Sequence, residues 1–122
     1  MKTYLGITED QLRALRDYPE DVPVKMLNLL KFKEKVEDTS GSEAYEEYLK
    51  AAEPFLLKSS AKLLFVGKTE ISLIGPLEKE WDKVLVVEYP SKKHFFKMAT
   101  AEGYPSHLRE RALEDSRLIL CS

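Results

Sequence analysis

The sequence predicts an α+β fold of the ferredoxin-like type, a four-stranded antiparallel sheet carrying helices, in a single domain over residues 1–122. The first observation behind this is the order of elements, one extra helix followed by β-α-β-β-α-β, which is the split βαβ arrangement. The second is size and balance: 122 residues, 43% hydrophobic and 33% charged, suffice for one core without a disulfide or metal. The third is a first strand that is apolar on both faces and so demands cover on both sides.

Residues 1–22 form the helical extension and residues 23–122 the core. Thr8 with Gln11 reads as a capping box, and Glu9 and Asp10 fill the first turn of a helix reaching about Arg16. Tyr18-Pro19 stops it. Val24 to Phe32 is the first strand, with Met26, Leu30 and Phe32 on one face and Leu27 and Leu29 on the other. After a polar loop, Ser42 is placed to cap a long helix to about Leu57, whose buried side is marked by Tyr45, Tyr48, Leu49, Ala52, Phe55 and Leu56. Pro54 predicts a kink or break, because a proline removes a helical hydrogen bond. Lys62 to Leu73 reads as the second strand, with Gly67 marking a bulge or a close approach. Trp81 to Tyr89 is the third strand, and Ser91 caps a helix carrying Phe95, Phe96 and Met98. Gly103 and Pro105 separate it from a stretch ending near Leu113, and Ser116 to Cys121 is the last strand. Asn28, Lys83 and Glu88 are too few polar groups to wet a sheet face assigned Met26, Leu30, Val84 and Val86. A second copy of the chain is the expected cover, giving a homodimer.

A net charge of -2 with interspersed signs argues against nucleic acid as a partner. The start of the chain lacks the apolar run of a signal peptide or membrane span, so no membrane partner is expected. Cys121 is the only cysteine, which excludes an intrachain disulfide and fits a reducing, cytoplasmic location.

The segments Trp81-Asp82, Val86-Val87-Glu88-Tyr89-Pro90-Ser91, Glu102-Gly103-Tyr104, Arg111 and Asp115-Ser116 occur in an order and spacing that resembles the family called domain of unknown function 1330, within the dimeric α/β-barrel superfamily. Met26 to Phe32 is similar to the first strand of one branch of that family, and the likeness covers about residues 22–122. Ser60-Ala61 stands where the family usually has a glycine pair, and Met98-Ala99 where it usually has an aromatic pair. The resemblance implies a dimeric α/β barrel. It implies no reaction, because the superfamily includes cofactor-free oxygenases, isomerases, haem-degrading enzymes and non-catalytic members.

Seven residues are candidates for a small-molecule site. Asn28, alone in an apolar strand, can donate to a ligand oxygen, or else bonds a neighbouring side chain or crosses the dimer axis. Glu88, on a half-buried sheet face, suits a general base, or else pairs with Arg111 or Arg117. His107 shares a helical face with Arg111 and can move a proton near neutral pH, whereas His94 is expected at the surface. Arg111 can hold a substrate carboxylate or pair with Asp115. Trp81, Tyr48 and Met98 are candidate cavity walls. Neither a metal nor a cofactor is expected, since the two histidines have no partner ligands at metal spacing. The expected function is a small dimer with a ligand cavity, a cofactor-independent oxygenase or isomerase; the alternative is a non-catalytic binding or scaffold dimer. Haem breakdown is a remote third reading: Asn28 fits its pattern, but His107 is about one residue out of register and Met98 replaces the expected tryptophan.

Overall fold

The computed structural model describes residues 2–122. In chain order the elements are α1 (Glu9–Asp17), β1 (Val24–Phe32), α2 (Gly41–Lys58), β2 (Lys62–Lys68), β3 (Lys83–Tyr89), α3 (Lys92–Ala99), α4 (Ser106–Ala112) and β4 (Leu113–Cys121). The four strands form one antiparallel sheet in the order β2-β3-β1-β4. This is the ferredoxin-like α+β fold that the element order predicts.

Local chemistry sets most boundaries. The Thr8–Gln11 capping box is present at α1. The cap of α2 is Ser40 rather than Ser42; its Oγ accepts from the Glu43 amide and so satisfies a free amide of the first turn. Gly41 therefore becomes the first helical residue. Its amide donates to the Lys33 carbonyl at 2.9 Å, while the Lys33 amide donates to the Ala112 carbonyl at 3.0 Å, which ties α2, β1 and α4 together. Pro54 neither ends nor divides α2. It lies on the exposed side, where water can serve the carbonyl it leaves free.

Strands β2 and β3 are shorter than their apolar patterns suggest: β2 stops at Lys68, not Leu73, and β3 starts at Lys83, not Trp81. Residues 69–82 form a loop closed by the Thr69 amide on the Asp82 carbonyl at 3.2 Å and by the Thr69 hydroxyl on the Trp81 carbonyl. The bulge of β2 falls between Leu63 and Phe65. Gly67 is instead a close approach: a Cβ there would sit 2.6 Å from the Phe65 ring. At the other end of the chain, β4 begins at Leu113, three residues earlier than Ser116.

The helices cover the face formed by Val24, Met26, Asn28 and Leu30, all buried. One cluster joins Leu30, Leu85 and Leu113 to Tyr45, Tyr48 and Ala52 of α2; a second joins Val24, Met26 and Tyr89 to Phe95 and Met98 of α3. The register corrects the expected face assignment. Leu27 lies opposite Val86 and Leu29 opposite Val84, so these four share the uncovered face, whereas Met26 and Leu30 belong to the helix side. Phe65 opposite Val86 and Ile119 opposite Leu27 extend the uncovered apolar face.

The N-terminal segment folds onto its own chain. The Tyr4 amide donates to Asp115 Oδ1 at 2.9 Å, and Ser116 Oγ donates to the Tyr4 carbonyl at 2.7 Å. Leu15 and Tyr18 pack on the second cluster. Lys92 is buried, and its ammonium donates to the Arg16 carbonyl at the end of α1. That bond gives the helix C-terminus a cation. Among the described residues no helix is long and apolar enough to cross a membrane.

Candidate functional site

Between the helix side of the sheet and α1, α2, α3 and α4 lies a cleft of about 1430 Å³. The sheet supplies its floor through alternate residues of β1 and β3, so Met26, Asn28, Leu85, Val87 and Tyr89 all point to one side. Helix α2 contributes Tyr45 and Tyr48, one turn of side chains spaced to share a face. Phe95 and Met98 come from α3, Tyr104 from the α3–α4 connection, Arg109 from α4, and Leu15 and Tyr18 from the N-terminal segment.

The polar part of this wall is a cluster of phenols around one guanidinium. Arg109 Nη2 donates to Asn28 Oδ1 at 3.2 Å, and Asn28 Nδ2 donates to the Met26 carbonyl at 3.3 Å. The Tyr48 and Tyr104 hydroxyls bond to each other, and the Tyr89 hydroxyl donates to Met98 Sδ at 3.7 Å. The rings interlock, Tyr45 on Tyr48 with centroids 5.2 Å apart and Tyr48 edge-on to Tyr104 at 6.2 Å. Burial pushes the phenols of Tyr45, Tyr89 and Tyr104 well above the usual tyrosine value; the Arg109 charge opposes this in all three without overcoming it. At neutral pH these groups are therefore protonated, with the Tyr89 proton directed at Met98 Sδ and Tyr104 engaged with Tyr48.

The structure brings Asn28, Tyr48 and Met98 of the seven sequence candidates to the cleft. Asn28 bonds a neighbouring side chain, Arg109, which was the structural alternative for a buried amide. Glu88 sits on the uncovered face opposite Lys25 and pairs with it at 3.8 Å, not with Arg111 or Arg117. Arg111 pairs with Glu47 of α2 at 3.2 Å rather than with Asp115. His107 is exposed and lies outside the cleft, as does His94, whose Nδ1 bonds the Ser91 hydroxyl at 2.8 Å. Trp81 is also outside, stacked under the Arg117 guanidinium at 5.0 Å. The reason is geometric for both α4 residues: the helix places position 109 inward, so positions 107 and 111 turn away from the floor. Sequence reasoning missed Arg109, Tyr45, Tyr89 and Tyr104 as cleft groups. Tyr45 and Tyr89 carried a signal as polar-tipped aromatics on buried faces, whereas Arg109, in the mixed-charge run Arg109-Glu110-Arg111, carried none.

Cys121 is partly buried at the end of β4, with Sγ 3.8 Å from the Ile119 carbonyl. Among the described residues no three His, Cys, Asp or Glu side chains gather as a metal site.

No protein-family model matches the chain, and no curated protein matches it. Among solved structures, the RPA0582 protein of Rhodopseudomonas palustris, a protein of unknown function, is 31% identical, with 98% of this chain and 96% of that chain covered and a TM-score of 0.88. The chain belongs to the RPA0582 family. The methylated form of RPA0582 superposes equally well, with a TM-score of 0.88 at 32% identity over 100% of this chain and 96% of that one. A Bacteroides fragilis protein, described as dimeric, of unknown function and of ferredoxin-like fold, is 18% identical over 82% of this chain and 95% of its own, with a TM-score of 0.56; that likeness shows the fold alone. The high overlap with RPA0582 spans the N-terminal segment as well as the sheet, so the wall that α1 adds to the cleft falls within the region shared by the RPA0582 family.

Proposed function

We propose that this chain is a homodimeric small-molecule protein whose protomers each take a ligand into the cleft between sheet and helices. The observation that carries the proposal is the convergence of Asn28, Arg109 and three protonated phenols on a largely apolar space that side chains do not fill. A concave apolar site with a few convergent polar groups is the usual form of a ligand pocket. Met26 and Met98 line the space without closing it, which supports a ligand over a side-chain-filled scaffold.

The chemistry this wall suits is stabilisation of a developing oxyanion by fixed donors in a low-dielectric setting. That favours cofactor-independent oxygenation or isomerisation of an enolisable compound. Non-catalytic binding is the second reading. It is favoured by the position of Glu88 and His107, the expected proton acceptors, outside the cleft. The wall does not suit haem breakdown, because no histidine among the described residues lines it.

Dimerisation is supported by the uncovered sheet face, where Leu27, Leu29, Val84, Val86, Phe65 and Ile119 form one apolar surface. The Bacteroides fragilis protein of the same fold is described as dimeric. Burial of such a face contributes about 25 cal/mol per Å². Membership of the domain of unknown function 1330 family, a single domain over the whole chain and a cytoplasmic setting belong to the same reading. The test is a panel of quinols and enol-lactones, followed by product formation and thermal shift in the wild type and in Asn28→Ala. Turnover that falls in the variant supports catalysis. Thermal shift without turnover supports binding alone, and no response to any compound overturns the proposal.

A further inference from the structure

We propose that the ligand of this cleft is an organic acid, an apolar ring-sized body whose carboxylate sits on Arg109; the inference rests on the small-molecule reading above and goes beyond it in fixing the ligand's charge. Three cations line the cleft, and two are already neutralised: Lys83 pairs with Glu46 at 3.2 Å and Arg117 with Asp115 at 2.8 Å. Among the described residues, Arg109 has no carboxylate within ion-pair distance. Its partner is the neutral amide of Asn28, and the protonated phenol of Tyr45 stands beside it.

A guanidinium offers five N–H donors in a planar fork, and Asn28 Oδ1 takes only one position on it. No buried side-chain polar atom among the described residues lacks a partner, so a donor of Arg109 left unbonded is reached by solvent, and Arg109 lines the cleft. A half-buried arginine served only by neutral groups leaves a positive charge for a ligand to meet, and a carboxylate meets it with two parallel bonds. The amide at position 28 matters here. A carboxylate at that position would pair with Arg109 from within and cancel the attraction. Glu53 and Glu110, the other acidic residues at the cleft, are exposed and do not reach Arg109. Met26, Leu85, Phe95 and Met98 surround the polar cluster, so the rest of the ligand is apolar.

The test compares 1-naphthoate with 1-naphthamide, equal in shape and different in charge, by titration calorimetry on the full chain. The expected result is naphthoate binding at least about tenfold tighter than naphthamide, the lower range for a hydrogen bond to a charged group. Arg109→Gln abolishes that preference. Asn28→Asp, which keeps the shape of the floor and supplies an internal anion, does the same and serves if Arg109→Gln fails to fold. Equal affinity for the two probes overturns the organic-acid inference and leaves the small-molecule cleft standing. A preference that survives Asn28→Asp also overturns it. Failure of both probes, with melting temperatures unmoved, overturns the inference and the cleft reading together.

Discussion

Replacing Gly41 with alanine tests how the cleft is held in place. Gly41 opens α2 where that helix meets the end of β1 and the end of α4. A Cβ built there would lie against the Lys33 carbonyl, 2.6 Å from the Lys33 nitrogen and 2.7 Å from the Ala112 carbonyl. All three neighbours are backbone atoms, so no side-chain rotation can relieve the overlap. Overpacking of this kind costs about 1–3 kcal/mol, and rigid neighbours place it at the upper end. Alanine recovers at most about 1 kcal/mol through its better helix propensity. The net loss is about 2 kcal/mol, or about 8 °C in melting temperature for a domain of this size. Thermal denaturation followed by circular dichroism measures it, with Ser42→Ala, at the exposed next position, as a control expected within about 0.5 kcal/mol of the wild type. Because α2 carries Tyr45 and Tyr48, relief of the clash by a shift of the helix should also weaken ligand binding. A Gly41→Ala protein that melts within about 2 °C of the wild type would refute the close-approach argument.

Three other outcomes are expected. Leu29→Asp or Val86→Asp, each placing a charge in the middle of the uncovered sheet face, should shift sedimentation from dimer to monomer; an unchanged dimer would mean that another surface makes the contact. Burial raises the Asp115 carboxyl's pKa, but the Tyr4 amide, the Arg117 guanidinium and the Ser116 amide together hold it below its ordinary 3.8. A group lowered by folding adds stability above its unfolded value and loses it as pH falls through the folded one. Asp115→Asn should therefore be less stable near neutrality and show a flatter decline below about pH 4, as read by urea melts across pH. Of the six tyrosines, Tyr45, Tyr89 and Tyr104 have raised values, so their stabilising neutral form is complete below the unfolded value of 10.0 and is lost as pH rises toward the folded ones. Ultraviolet titration should show these three ionising only as the chain unfolds, and their ionisation in the folded chain would contradict their burial.

The sequence by itself determined the elements and their order, because those depend on near neighbours. The Thr8–Gln11 box, the apolar run of Val24 to Phe32 and the serine at the start of α3 are local signals with local outcomes. Shared faces and partners were decided only by tertiary structure. Apolar runs such as Val84 to Val87 give no parity, so the pairing of Leu29 with Val84 fixes which residues face the helices. Strand ends depend on partners too: Leu73 reads as strand in sequence, but the described ladder of β2 ends at Lys68. Arg109 was invisible for a related reason. Its significance lies in meeting Asn28 across 81 residues of chain, a contact made only when β1 and α4 are brought together.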